Sequence, residues 1–281
     1  MSSIAHLSDV HFGHHDPRVV AGLESILFDR RPDLIVISGD LTQRARIAQY
    51  ALACAFIDRL EANGLAVLAV PGNHDVPLYD IVRRFTRPLA RYRRFIDDDL
   101  CPWWENDDIA VLGINTARSL TFKDGSISHE QMQRIRDSFG TSARDKLRIL
   151  VTHHPLLAMP VGEDDSSEGV NRSGDALLAA ADAGVDLLLA GHLHRSFSRS
   201  AREIVDNVGP SLVVQAGTAT STRLRGGERQ SFNWIEASRD GIDLSVYGWE
   251  EGAFRPGKPA RFIFDGEHWH GPVSQPQAVE V

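Results

Sequence analysis

Short aliphatic runs punctuate the first two hundred residues, at 4–7, 34–37, 66–70, 147–151 and 185–189. Each is brief enough to be a buried strand. Between them, apolar residues recur at helical spacing over 19–28 and 47–60, the second stretch ending at Asn63-Gly64, which predicts a β-α-β-α-β opening. A third helical stretch is expected over 78–96, then a strand over 109–114 and a short helix over 130–138. An alanine-rich helix over 176–183 is stopped by Gly184, which brings in the run at 185–189. From Ser196 the pattern changes: strand-like segments at 211–215, 232–237 and 242–248 are parted by Gly and Arg-Asp-Gly turns and read as an antiparallel group. One α/β group and one mostly β group predict two sheets stacked face to face with helices outside. The expected fold class is therefore α/β, a four-layer α-β-β-α sandwich of two mixed sheets. The main domain is expected over 1–250. Residues 251–281, rich in Gly and Pro and weakly periodic, are expected to form a C-terminal extension that packs on the domain or at a subunit interface, a candidate homodimer or lid element.

A block of metal-ligating residues follows each of the five early runs. In order they are Asp9-Val10-His11, Gly39-Asp40, Gly72-Asn73-His74-Asp75, His153-His154 and Gly191-His192-Leu193-His194. Ligands would sit just past strand C-termini, the edge at which open α/β sheets bind them. Asp9 and His11, two apart, point the same way from an extended strand end and can offer one cation a carboxylate oxygen and an imidazole nitrogen. Alone, that pair is better explained by a loop cap and a satisfied polar residue. Gly72-Asn73-His74-Asp75 is rarer, because an ordinary Pro71-Gly72 turn explains the first two residues only. The joint occurrence after five strands points to a site for two metal ions.

Composition narrows the partners. The chain has 281 residues, 42% hydrophobic and 24% charged, enough for a sizeable core. Its formal net charge of −8 is the wrong sign for wrapping a polynucleotide, so no nucleic acid polymer is expected as partner. No apolar run reaches the roughly 18 residues of a membrane span, and no secretion signal is read at the N-terminus, so no membrane association and a cytoplasmic location are expected. Two cysteines, Cys54 and Cys101, make neither a disulfide framework nor a metal finger.

The five blocks, in this order, resemble the motifs of the calcineurin-like metallophosphoesterase superfamily over about the first 200 residues. Within it the chain looks closest to the bacterial cyclic nucleotide phosphodiesterase and glycerophosphodiesterase branch, through Leu7-Ser8-Asp9-Val10-His11, Ser38-Gly39-Asp40-Leu41-Thr42, Pro71-Gly72-Asn73-His74-Asp75, His153-His154-Pro155, Gly191-His192-Leu193-His194 and Ser221-Thr222-Arg223-Leu224-Arg225. The resemblance implies that Asp9, His11, Asp40 and His194 hold one metal, that Asp40, Asn73, His153 and His192 hold the other, and that Asp40 bridges them. It does not imply a ligand role for His154, which is expected in the pocket wall. His74 is implied as the general acid, with Asp75 either orienting its imidazole and raising its pKa or capping a helix beyond Pro77.

What such a site would do follows from phosphoryl chemistry. A phosphodiester repels nucleophiles, so its charge must be neutralised, hydroxide supplied at neutral pH and the leaving oxygen protonated. The expected activity is hydrolysis of small phosphodiesters, 3′,5′-cyclic nucleotides among them, by a metal-bridging hydroxide with His74 as acid. A phosphomonoesterase acting on protein or small molecules, and a non-catalytic metal-dependent scaffold, are the alternatives. The cofactors would be two divalent or mixed-valence ions, since nitrogen and oxygen ligands suit Mn, Fe and Zn alike. The segments 115–128 and 156–172 are expected to shape the pocket; the second carries Glu163, Asp164, Asp165 and Glu168. Arg83, Arg84, Arg87, Arg91, Arg93 and Arg94 are expected on a solvated helix face or, alternatively, as a device that steers phosphate. His268-Trp269-His270 reads as a polar strand end.

Overall fold

The aliphatic runs become strands buried on both faces, which is why they show no polar alternation. A computed structural model describes residues 1–121, 123–140, 145–157, 170–204, 208–224 and 227–273. The first half comprises β1 (Ser2–Leu7), α1 (Pro17–Arg30), β2 (Leu34–Ser38), α2 (Ile47–Ala62), β3 (Val67–Val70), α3 (Ile81–Thr86), α4 (Ala90–Phe95), β4 (Trp103–Glu105) and β5 (Ile109–Ile114). There follow α5 (His129–Ser138), β6 (Leu147–Thr152), α6 (Ser173–Asp182), β7 (Leu187–Ala190), β8 (Phe197–Ser200) and β9 (Leu212–Gln215). The chain continues through β10 (Ser231–Ser238), β11 (Gly241–Glu250), β12 (Ala253–Pro256), β13 (Ala260–Phe264) and β14 (Trp269–Val273). The acidic segment at 163–168 and Arg225 lie outside the described residues.

Two mixed sheets result. The first has the order β14-β13-β11-β10-β1-β2-β3, with β12 on β11; β1, β2 and β3 are parallel and β10 runs antiparallel to β1. The second has the order β4-β5-β6-β7-β9-β8, with β5, β6, β7 and β9 parallel and antiparallel strands at both edges. Alternate side chains of each strand divide between two cores. Ile4, Leu34, Val36 and Leu68 of the first sheet meet Val111, Ile149, Leu187 and Val214 of the second. On the far side, Ala5, Leu7, Ile35 and Ile37 pack under Leu23, Leu27, Tyr50 and Phe56 of α1 and α2. Ala110, Leu112, Leu150 and Leu188 pack under Met132, Ile135, Ala176 and Ala179 of α5 and α6. This is the four-layer α-β-β-α sandwich.

Two expectations about the elements change. The C-terminal strands do not form a sheet of their own: β9 pairs parallel to β7, whereas β10 and β11 extend the sheet of β1. The open edge of β1 accepts β10, whose Ile235 and Ala237 complete the inter-sheet core while Phe232 and Trp234 reach the α1 side. The helix expected over 78–96 is two short ones. Pro88 lacks an N–H and disfavours the helical region for the residue before it, and Arg87 leaves it at φ −148° and ψ 61°. Beyond residue 250, β12 to β14 pair with β11 and with one another, and Trp269 is buried in the inter-sheet core.

His6 on β1 is fully buried, with Nε2 2.9 Å from Ser38 Oγ and Nδ1 3.4 Å from Asn233 Nδ2. Both ring nitrogens are engaged in the neutral form, and burial pushes the pKa from 6.5 down to about 3. Between those values the unfolded chain binds a proton that the folded one refuses, so this contribution to stability is complete above pH 6.5 and is lost as pH falls toward 3. His6→Gln is expected to make the acid limb of stability shallower by about one proton, read from urea midpoints between pH 7 and 4. An unchanged slope would show that His6 takes no part in acid unfolding.

Candidate metal centre

The C-terminal ends of β1, β2, β3, β6 and β7 come together, and the polar blocks occupy the turns that leave them. Those turns are sharp. Asp9, His11, Asp40, His192 and His194 all hold positive φ, from 51° to 74°, a region costly for residues with a Cβ. Two glycines make the close approach possible. A Cβ on Gly39, itself at φ +91°, would meet the His153 ring at 2.5 Å, and one on Gly191 would meet Ser8 Oγ at 1.7 Å and Asp9 Oδ2 at 2.8 Å. Strand rigidity on both faces keeps these turns bent.

The side chains form two groups around Asp40. In one, His194 Nε2 lies 3.0 Å from Asp9 Oδ1 and 3.2 Å from His11 Nε2, and Asp40 Oδ2 is 3.7 Å from His11 Nε2. In the other, Asn73 Oδ1 lies 3.1 Å from both His153 Nε2 and His192 Nδ1, and Asp40 Oδ1 is 3.5 Å from His153 Nε2. Asp40 thus turns one oxygen to each group. All seven candidate ligands are brought to one place.

The donor set fits cations. His153 donates from Nδ1 to the Ser38 carbonyl at 2.8 Å and His194 from Nδ1 to the Arg223 carbonyl at 3.3 Å, which leaves a lone pair on each Nε2 facing the group. Asp9 Oδ1 is buried without a hydrogen bond. Lone pairs and carboxylate oxygens at 3.0–3.7 Å repel one another unless positive charge stands between them. Burial alone would raise the pKa of Asp9, but His194 and His11 outweigh it and hold the carboxyl well below the usual range. Asp40 is likewise pulled down by His153, His74 and His11 against its burial. Burial lowers the pKa of His11, and that of His154 much further. Asp9 and Asp40 are thus favoured as carboxylates and His11 as a neutral imidazole, the ionisation states that ligate metal.

His74 stands beside this set, its ring edge-on to His11 with centroids 4.8 Å apart. Its Nδ1 donates to the Gln43 carbonyl at 2.8 Å. Asp75 does not meet the His74 imidazole. It is buried, Oδ1 accepts from Thr42 N and Oγ1, and Oδ2 accepts from Gly72 N and Leu41 N, all at 2.9–3.1 Å. Burial and Asp40 push its pKa up to about 6, against the pull of the Gly72 and Thr42 donors. Nor does it cap the helix beyond Pro77: Asp80 caps α3. Asp75 is a staple that joins the turn after β2 to the turn after β3. His154 packs in the wall, with Nδ1 2.7 Å from Thr116 Oγ1 and its ring 4.6 Å from that of His192.

Several supporting groups carried no chemical signature in the sequence. Ser8 Oγ donates to Asp9 Oδ2 at 2.6 Å, Thr218 Oγ1 to the Asp9 carbonyl and Thr220 Oγ1 to the Val10 carbonyl, each at 2.7 Å. Ser8 and Arg223 lie inside quoted motifs; Gln43, Thr218 and Thr220 do not. The arginine cluster is mostly employed within the protein. Arg84 is buried and donates to the Ser119, Pro77 and Thr121 carbonyls, Arg91 to the Ala45 carbonyl, and Arg83 and Arg93 pair with Asp80 and Asp98.

A family model described as calcineurin-like phosphoesterase matches residues 2–196, which include every block. The chain belongs to the calcineurin-like phosphoesterase family. Relatives of this phosphoesterase include Mre11 of Nanoarchaeum equitans, a DNA double-strand break repair protein, 27% identical over 93% of this chain and 76% of its own. The cAMP/cGMP dual specificity phosphodiesterase of Mycobacterium tuberculosis is 26% identical over 86% of this chain and 78% of its own, and the glycerophosphodiester phosphodiesterase GpdQ of Enterobacter lignolyticus is 25% identical over 75% and 78%. Among solved structures, a purple acid phosphatase from yellow lupin superposes with a TM-score of 0.69 at 14% identity, covering 91% of this chain and 52% of that one. That likeness concerns the fold.

Removing the staple exposes its cost. Asp75→Ala strands two backbone N–H groups after β2 and that of Gly72, leaves the Thr42 hydroxyl only the longer bond to the His74 carbonyl, and is expected to lower stability by about 3–5 kcal/mol, read from urea unfolding. A loss under about 1 kcal/mol would mean that the turns hold without it.

Proposed function

We propose that this phosphoesterase is a dinuclear metal-dependent phosphodiesterase for small diesters, 3′,5′-cyclic nucleotides among them. The observation that carries the reading is Asp40, with one oxygen toward His11 and the other toward His153. Asp9, His11, Asp40 and His194 would hold one ion, and Asp40, Asn73, His153 and His192 the other. The ions, when bound, neutralise the diester and supply hydroxide at neutral pH. The chain's residues set the rest. His153 and His194 are oriented by the Ser38 and Arg223 carbonyls, so their lone pairs cannot turn away. Asp75 holds the two turns that present Asp40 and Asn73. As the bond from phosphorus to the leaving oxygen breaks, that oxygen takes the proton from His74 Nε2, while Nδ1–H stays on the Gln43 carbonyl and stabilises the charged ring.

A diester is favoured over a monoester by the relatives whose names describe cyclic nucleotide and glycerophosphodiester hydrolysis. The Mre11 relative acts in DNA repair, but a net charge of −8 gives this chain little attraction for a polymer of phosphates. No helix among the described residues is long and apolar enough to cross a membrane.

Asp40→Ala is expected to lose at least one bound ion by elemental analysis; retention of both with unchanged affinity would remove the bridging role. His74→Ala should keep its metal and lose about 10²–10⁴-fold in rate with alkyl leaving groups, and much less with p-nitrophenol, whose oxygen leaves without a proton. Equal losses across leaving groups would argue against a proton donor. Hydrolysis of bis-p-nitrophenyl phosphate should exceed that of p-nitrophenyl phosphate at matched metal loading, and the reverse order would favour a phosphomonoesterase.

A further inference from the structure

Between α4 and the loop that leaves β5 lies a cleft of about 410 Å³ that includes Arg87, Arg93 and Arg118 in its lining and no acidic residue. Arg118 is its central feature. The half-buried guanidinium donates to the Asn115 carbonyl at 3.1 Å, the Ala117 carbonyl at 3.0 Å and Gln131 Oε1, all of them neutral acceptors. Burial pulls its pKa down, and no carboxylate acts to raise it. A cation taken partly out of water without a counter-charge is unfavourable, and an anion in the cleft would compensate it. Three of its five N–H groups are engaged, so Nε–H and one Nη2–H are left for an oxyanion.

The other two arginines can join. Arg87 makes no side-chain hydrogen bond or ion pair among the described residues. Arg93 meets Asp98 at 3.2 Å, but that pair is exposed, weak and exchangeable. Pro88, Leu89 and Leu100 add an apolar wall. We propose that this cleft is a second ligand site, separate from the metal centre, for a phosphate-bearing small molecule of nucleoside monophosphate size. Three guanidinium groups suit the several oxygens and double charge of a phosphate monoester better than a single carboxylate, and the volume lies in the range of small-molecule sites. The site shares a wall with the metal centre. Asn115 and Ala117 line the cleft, whereas Thr116 between them bonds His154, whose ring packs against that of His192.

The proposal does not depend on the reaction assigned to the metals, and one experiment separates the two. Binding of inorganic phosphate and of AMP to metal-loaded protein is measured by equilibrium dialysis, with circular dichroism to check folding. Wild type is expected to show two sites. The exposed pair Arg87→Gln/Arg93→Gln should weaken one of them at least tenfold, as should Arg118→Gln, while Asp40→Ala should keep that site and lose the other. The proposal is overturned if the arginine variants bind with wild-type stoichiometry and Kd, or if Asp40→Ala abolishes all binding. Equal affinity for succinate would overturn the assignment to phosphate.

Discussion

Two buried carboxylates and a ring of imidazole lone pairs aimed at the same small volume are the constraint on which this protein is built. Such an arrangement is repulsive in itself. Asp9 and Asp40 are shut off from water, and the imidazoles of His153 and His194 beside them cannot rotate away because their far sides are tied to backbone carbonyls. Only a frame stiffer than the repulsion can hold it, and the frame here is the pair of stacked sheets. Strands buried on both faces cannot shift without opening a core, so the turns at their ends can be kept in left-handed backbone that would relax in a freer loop.

The links between the turns matter as much as the strands. Asp75 binds the turns after β2 and β3 into one unit, and Tyr50 from α2 donates to the Asp75 carbonyl at 2.7 Å, which fastens that unit to the helix layer. On the opposite side, Thr218 and Thr220 hold the backbone of Asp9 and Val10. The segment after β9 therefore supports the first ligand block from more than two hundred residues away. Positioning of this kind explains how a site made of loops can keep its ligands within a few tenths of an ångström, which metal chemistry requires.

Positive charge is distributed with equal economy. An acidic chain concentrates arginines beside its site, and most of them secure structure: Arg84 alone grips three carbonyls and joins the start of α3 to the loop after β5. Arg118 and Arg87 stand apart because, among the described residues, the first has only neutral partners and the second makes no side-chain bond. Thr116 connects this basic cleft to His154 and so to the imidazoles of the candidate metal centre, which gives the two a common wall.

The order of the five blocks and the aliphatic runs before them were readable from the chain alone, because a strand buried on both faces must be apolar and its ligand must sit just past its end. The four layers followed from the same pattern. Which strand pairs with which did not, since β9 and β10 each read only as strands and are assigned to different sheets by the edges left open for them. The break at Pro88 was visible in the residues, but helical spacing over 78–96 masked it. The role of Asp75 lay beyond sequence for a similar reason: its neighbour in the chain is His74, yet its hydrogen bonds go to Leu41, Thr42 and Gly72. Adjacent residues in a tight turn point in different directions, and only the folded backbone says where. Residue types and spacing determined what chemistry this protein can hold; the tertiary structure decided which groups do the holding and which keep the holders still.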